Sequence, residues 1–171
     1  MKHNNIFTGM AIVGLTLTLT PVAGFAQQKS IKDQIVGNWS SVFWEQTYPD
    51  GRKEQPFGAN PKGITIFEAN GRFAAILLNP DLPKLESNNR VKPTPEEAMT
   101  IAKGVIAYYG TYTVNEAEKT LSFDMEGTSF VNQLSVPQKR LVTEITASEL
   151  KFRNFSSPAG GTIEYVYKRV K

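Results

Sequence analysis

Cysteine is absent from all 171 residues, and the one histidine is His3. Without cysteine there is no disulfide framework, so stability must come from a packed core. Beyond an N-terminal leader neither residue type remains, which excludes Ser-His-Asp and Cys-His nucleophilic machinery. It also removes the usual His and Cys ligands of zinc and copper. No glycine loop cradles a phosphate and no Asp-x-Asp-x-Asp-Gly loop offers a calcium site, so neither a metal nor a cofactor is expected. Charge of one sign is scarce too. Nineteen Lys and Arg face sixteen Asp and Glu, a net +3, and the cations are scattered among the acids. Nucleic-acid binding needs a basic stripe or patch, and none is visible.

Long apolar runs are limited to one. Met1-Lys2-His3 opens the chain, residues 6–19 are almost unbroken apolar and small residues, Pro21 ends the run, and Gly24-Phe25-Ala26 follows. A run of about 14 residues falls short of the roughly 20 that span a bilayer as a helix. The pattern is that of a signal peptide over residues 1–26, cut after Ala26. The lack of cysteine rules out a lipid anchor at the cut. Residues 27–171 are then one domain, exported to the periplasm or the medium. Loss of Lys2 takes its net charge from +3 to +2.

Within that domain a short helical turn is expected over residues 30–35, capped by Ser30, with Ile31 and Ile35 on one side. Gly37 ends it and the period changes to two. Strands follow over residues 38–48, 63–69, 72–78, 111–114, 120–125, 138–146, 149–155 and 162–170. Tyr48-Pro49-Asp50-Gly51 is a turn, and Asn70-Gly71 is the sharpest hairpin signal, suited to a type I′ turn. Residues 79–93 carry three prolines and read as a flap-length loop. Thr94-Pro95-Glu96-Glu97 is a capping box opening a helix. Ala98, Ile101, Ala102, Val105, Tyr108 and Tyr109 keep helical spacing up to Gly110, placed as a stop. Eight strands in up-and-down order favour a closed antiparallel barrel, mainly β, with one helix between strands three and four.

A helical turn followed by Gly37-Asn38-Trp39 resembles the Gly-x-Trp opening of the lipocalin and calycin group. In that group the Trp closes the barrel floor and an Arg of the last strand packs over it; Arg169 is the residue so placed here. The resemblance extends to a bacterial lipocalin-like family through Trp44-Glu45, Pro56-Phe57-Gly58 and Gly63-Ile64 leading to Asn70-Gly71-Arg72. A Pro-Glu-Glu helix ending in Tyr108-Tyr109-Gly110-Thr111-Tyr112, then Glu126-Gly127, Ser129, Asn132 and Arg140, complete it. This implies a lipocalin-like barrel and carries no single activity. The helix after strand three differs from ordinary lipocalins, whose helix lies near the C-terminus.

Alternation puts Phe43, Ile64, Ile66, Tyr112, Phe123, Met125, Leu141, Phe152, Tyr165 and Tyr167 inside the barrel, either filling it or surrounding a void. Ser41, Glu45, Thr143 and Asn154 are polar residues on the same parity, and a buried polar group needs a partner. Tyr108, Tyr109 and Tyr112 cluster where a ligand would meet the mouth. Glu126 and Arg140 lie near loop ends of adjacent strands, where an ion pair would clasp the loop over residues 127–137. The leading expectation is a binding protein for a small, mainly apolar molecule. Its ligand-binding residues are Phe43, Glu45, Tyr108, Tyr109, Tyr112, Phe123, Met125, Arg140, Phe152, Tyr165 and Tyr167. The alternatives are an isomerase or cyclase using Glu45, Glu126 or a tyrosine, and a solid-core structural or interaction protein. Oligomeric state is left open.

Overall fold

The computed structural model describes Met1 and residues 29–171. The leader and its cut after Ala26 lie outside the described residues. Helix α1 (Ile31–Ile35) is capped by Ser30, whose hydroxyl accepts from the Asp33 amide at 3.0 Å. Nine strands follow: β1 (Gly37–Thr47), β2 (Lys53–Glu54), β3 (Lys62–Phe67), β4 (Arg72–Leu78), β5 (Val105–Asn115), β6 (Thr120–Thr128), β7 (Gln138–Ile145), β8 (Glu149–Asn154) and β9 (Thr162–Arg169). Strand β2 is a two-residue extension paired with the end of β1. The other eight run antiparallel in the order β1-β3-β4-β5-β6-β7-β8-β9, and β1 pairs with β9 to close the barrel. Among the described residues no helix is long and apolar enough to cross a membrane.

Helix α2 (Pro95–Gly104) lies between the third and fourth barrel strands, with Thr94 and Glu97 forming the expected capping box. It is shorter than helical spacing implies. Val105 to Gly110, expected in the helix, belong to β5, where residues 105–111 pair with the whole of β4. Val-Ile-Ala-Tyr-Tyr suits a strand as well as a helix, and a seven-residue ladder on the neighbouring strand decides the matter. Gly110 is therefore interior to a strand and not a helix stop. The Asn70-Gly71 hairpin also differs from a type I′ turn. Only Gly71 has positive φ, at +86°, and its amide donates to Glu68 O at 3.0 Å.

Three β-bulges decide which side chains face inward. In β1, Ser41 opposes Tyr167 and Phe43 opposes Val166, so Val42 is an extra residue. In β6, Glu126 is extra between Met125 and Gly127. In β7, Thr143 is extra between Val142 and Glu144. Each bulge reverses the simple alternation beyond it.

Candidate functional site

One end of the barrel is shut. Trp39 is wholly buried, and its indole N–H donates to Ile35 O at 2.7 Å. The Arg169 guanidinium carbon lies 4.1 Å from the indole ring centroid. Its Nε donates to Ala147 O and its Nη1 to Val36 O, each at 2.8 Å, and its Nη2 donates to Gln34 O. Gly37 makes room for this arrangement. It has φ +125°, and a Cβ there would stand 2.7 Å from Arg169 Nη1. Helix α1 covers the floor, held by Glu116, whose carboxylate accepts from the Ile31 and Lys32 amides at 3.0 and 2.9 Å. An acid at a helix N-terminus meets both free amides and the positive end of the dipole.

Above the floor the interior is solid. Phe67 packs against Tyr112, Phe123 and Phe152 with ring centroids 5.1, 6.2 and 6.5 Å away, and Phe73 meets Phe123 edge-on at 4.8 Å. These are favourable aromatic geometries. The Tyr112 hydroxyl donates to Glu68 O at 2.8 Å, and burial pushes this phenol above its ordinary pKa.

The other half is hollow. A cavity of about 230 Å³ opens away from the floor. Its rim is Pro56 and Phe57 from the loop before β3, Lys103 and Ile106 at the α2–β5 junction, Phe130 and Gln133 after β6, and residues 157–159 before β9. Trp44 forms one wall, edge-on to Phe57 at 5.0 Å and to Tyr165 at 5.9 Å. Gln46 anchors the rim: its amide donates to Gly160 O at 2.6 Å and its carbonyl accepts from the Ser157 hydroxyl at 2.6 Å.

The base of the cavity is polar. Ser41, Thr65, Tyr108, Arg140, Asn154, Tyr165 and Tyr167 line it. Arg140 is 5 % exposed, and its guanidinium carbon lies 4.6 Å from the Phe123 ring centroid, 5.0 Å from that of Tyr165 and 5.5 Å from that of Tyr108. Its Nη2 donates to the Tyr108 hydroxyl at 3.2 Å, while among the described residues Nε is buried without a partner, as is the Ser41 hydroxyl. Burial drives the Tyr165 and Tyr167 phenols up from their ordinary value of 10.0, although the nearby Arg140 charge pulls the other way. Both are neutral hydroxyls at physiological pH.

Of the residues that alternation assigned to a ligand, Tyr108, Arg140, Tyr165 and Tyr167 reach the cavity together. Phe123, Met125, Phe152 and Tyr112 are buried in the solid half and do not line it. Phe43 and Glu45 are corrections. The bulge at Val42 turns Trp44 and Gln46 inward in their place, and Glu45 pairs with Lys53 at 2.8 Å. Tyr109 is 50 % exposed and points outward, covering Gly127 of the adjacent strand. Glu126 and Arg140 form no ion pair. As the bulged residue of β6, Glu126 reaches Arg72 in a bidentate pair at 2.7 and 2.9 Å.

Ile64 and Ile66 face outward, since Thr65 and Phe67 occupy the inner face of β3. Leu141 is likewise outside, between the buried Arg140 and Val142, and Thr143 is exposed as the bulged residue of β7. Ser41 and Asn154 are buried as alternation implies. Trp44, Gln46, Phe57, Thr65 and Ile106 were missed. A run of both-face strand formers hides Thr65, and Phe57 enters from a loop that has no periodicity to read.

The described residues hold no group of three or more acidic side chains placed to bind a metal ion. Among the described residues the cavity lining includes no Asp or Glu.

A family model described as a lipocalin-like domain matches residues 36–164. Among solved structures, the chain is similar to a lipocalin-like protein from Bacteroides uniformis ATCC 8492. That pair shares 15% identity with a TM-score of 0.44, covering 80% of this chain and 99% of that one. It is also similar to a de novo designed fluorescence-activating β-barrel, at 9% identity and a TM-score of 0.42, covering 84% of this chain and 100% of the design. No curated protein matches. Since the family model spans most of the barrel, from the residue before Gly37 into β9, the chain belongs to the lipocalin-like domain family.

Proposed function

We propose that the protein is exported and holds a small, mainly apolar molecule in the hollow half of its barrel. The barrel is of a kind that binds small molecules in general. The observation that carries the finer reading is the cavity of about 230 Å³ between the rim and the polar base, walled by Trp44, Phe57, Leu77, Ile106 and Ile163. A concave apolar site with a few convergent polar groups is the usual form of a ligand pocket. Native mass spectrometry of protein purified from its source, with saturable binding of the neutral probe N-phenyl-1-naphthylamine, tests it. A bound organic mass and a Trp44→Ala variant that loses the probe are expected. No bound mass and no saturable probe binding would overturn it.

Export is supported by the leader pattern over residues 1–26. N-terminal sequencing of the protein outside the cytoplasm should begin at Gln27. Full-length chain retained in the cytoplasm would count against export.

A second reading has one observation in its favour. Ile64, Ile66 and Ile76 are 38, 37 and 49 % exposed on the outer face of β3 and β4, and Ile64 pairs directly with Ile76. Adjacent exposed isoleucines suit a contact with another protein. Sedimentation across a concentration series, with Ile64→Thr and Ile76→Thr as controls, separates this from ligand binding.

A further inference from the structure

The geometry points to a ligand that is an amphipathic carboxylate, with its head on Arg140 and its apolar body towards the rim. This rests on the cavity-binding reading above and specifies its ligand class.

The case starts from an imbalance of charge. Arg52, Arg72 and Arg153 each face a carboxylate at the surface, and Arg169 is satisfied by three carbonyls. Arg140 is the buried arginine, and among the described residues it takes part in no ion pair. A buried cation without a counter-ion is costly. Three aromatic rings offset part of that cost. A ring face, however, does not satisfy a guanidinium's N–H donors as an oxygen acceptor does. Five such donors exist on an arginine; here one meets Tyr108, and Nε is left without a partner.

Two co-planar oxygens on a single negative charge complement that edge, because a carboxylate accepts from guanidinium in bidentate fashion. Two of the cavity's other donors have a proton to offer beside Arg140. Tyr108 accepts from Arg140 through its oxygen and keeps its own proton to donate, and the buried Ser41 hydroxyl is unpartnered. Among the described residues the only other charged lining residue is Lys103, at the rim, so their part of the cavity carries two cations and no anion. Orientation follows from the apolar rim and the polar base. The cavity volume of about 230 Å³ equals roughly eight waters at ~30 Å³ each, so a compact body fits.

Isothermal titration of the purified protein with octanoate, 1-octanol, octylamine and octyl phosphate tests the inference. Octanoate should bind at least about tenfold more tightly than 1-octanol, octylamine should be weakest, and octyl phosphate should not exceed octanoate. Arg140→Met should abolish the preference for octanoate over 1-octanol, whereas Lys103→Gln should keep it. Equal affinity for octanoate and 1-octanol in the unaltered protein overturns the head-group assignment and leaves cavity binding standing. So does tightest binding of octyl phosphate, or a preference that survives in Arg140→Met. If none of the four binds while N-phenyl-1-naphthylamine still binds saturably, the head-group assignment falls and cavity binding stands; if that probe fails as well, both fall. The comparison in unaltered protein decides the question even if Arg140→Met does not fold.

Discussion

Arg169 lies with its guanidinium carbon 4.1 Å from the Trp39 ring centroid, joining the last strand to the first across the barrel floor. Its donors also bind three carbonyls, on residues 34, 36 and 147. Arg169→Met should therefore destabilise the fold by about 2–4 kcal/mol, through loss of the cation–π contact and several charge-assisted hydrogen bonds. Thermal melting should show a fall in Tm on the order of 10 °C. Arg169→Lys should recover little of this, because one ammonium cannot reach three divergent carbonyls.

Gly37→Ala should cost about 1–3 kcal/mol, since alanine is strained at positive φ. Its φ is +125°, and the new Cβ would crowd Arg169 Nη1 at 2.7 Å. Urea unfolding of Gly37→Ala, Arg169→Met and the double variant should give a non-additive cycle. The second substitution removes the crowding and leaves the backbone strain.

The bulge in β1 separates two neighbours that simple alternation would exchange. Glu126→Gln should change stability by less than about 1 kcal/mol, as expected for a surface ion pair, and Glu45→Gln, whose side chain is 17 % exposed, by up to about 2 kcal/mol. Neither should alter probe binding, because both side chains lie off the cavity. Trp44→Ala, one residue away from Glu45, should weaken probe binding by about tenfold or more. A Glu45→Gln variant with impaired binding would place that carboxylate inside.

Alkaline pH should weaken the fold. Burial raises the Tyr165 and Tyr167 phenols above 10.0 in the folded chain. Unfolding releases these protons, so the stability contributed by the neutral phenols is complete below pH 10 and declines as pH rises further. Each phenol should steepen the loss by roughly 1.4 kcal/mol per pH unit above pH 10. The urea midpoint measured from pH 9 to 12 checks this, and Tyr167→Phe should flatten the decline.

The barrel and its floor were legible because their signals are local. Trp39 follows a helical turn and a glycine, Arg169 shares parity with Tyr165 and Tyr167, and turn residues punctuate nearly every strand. The upper half of β1 was not legible. Nothing in Ser41-Val42-Phe43 marks an extra residue; only pairing with β9 reveals it. In β3 both alternating sets, Ile64 with Ile66 and Thr65 with Phe67, are strand formers, so hydropathy favoured the pair that faces water. The end of α2 was misplaced for a related reason: Val105 to Tyr109 satisfies both periods, and contact with β4 selects one. Of the cavity lining, Ser41, Tyr108, Arg140, Asn154, Tyr165 and Tyr167 are legible in the sequence; Trp44 and Gln46 are hidden by a bulge, Phe57 by a loop, Thr65 by a strand whose two faces look alike, and Ile106 by the ambiguous end of α2.

Val42 gives β1 one residue more than β9 has opposite it. A chain lacking Val42 would have equal counts on both sides, with Ser41 and Trp44 still directed at the same neighbours and the strand less twisted. Losing Glu45 instead would rotate everything after it by half a turn and swing Gln46 away from residues 157–160. Homologues that differ in length here should therefore drop the residue at the bulge and keep the three that follow it.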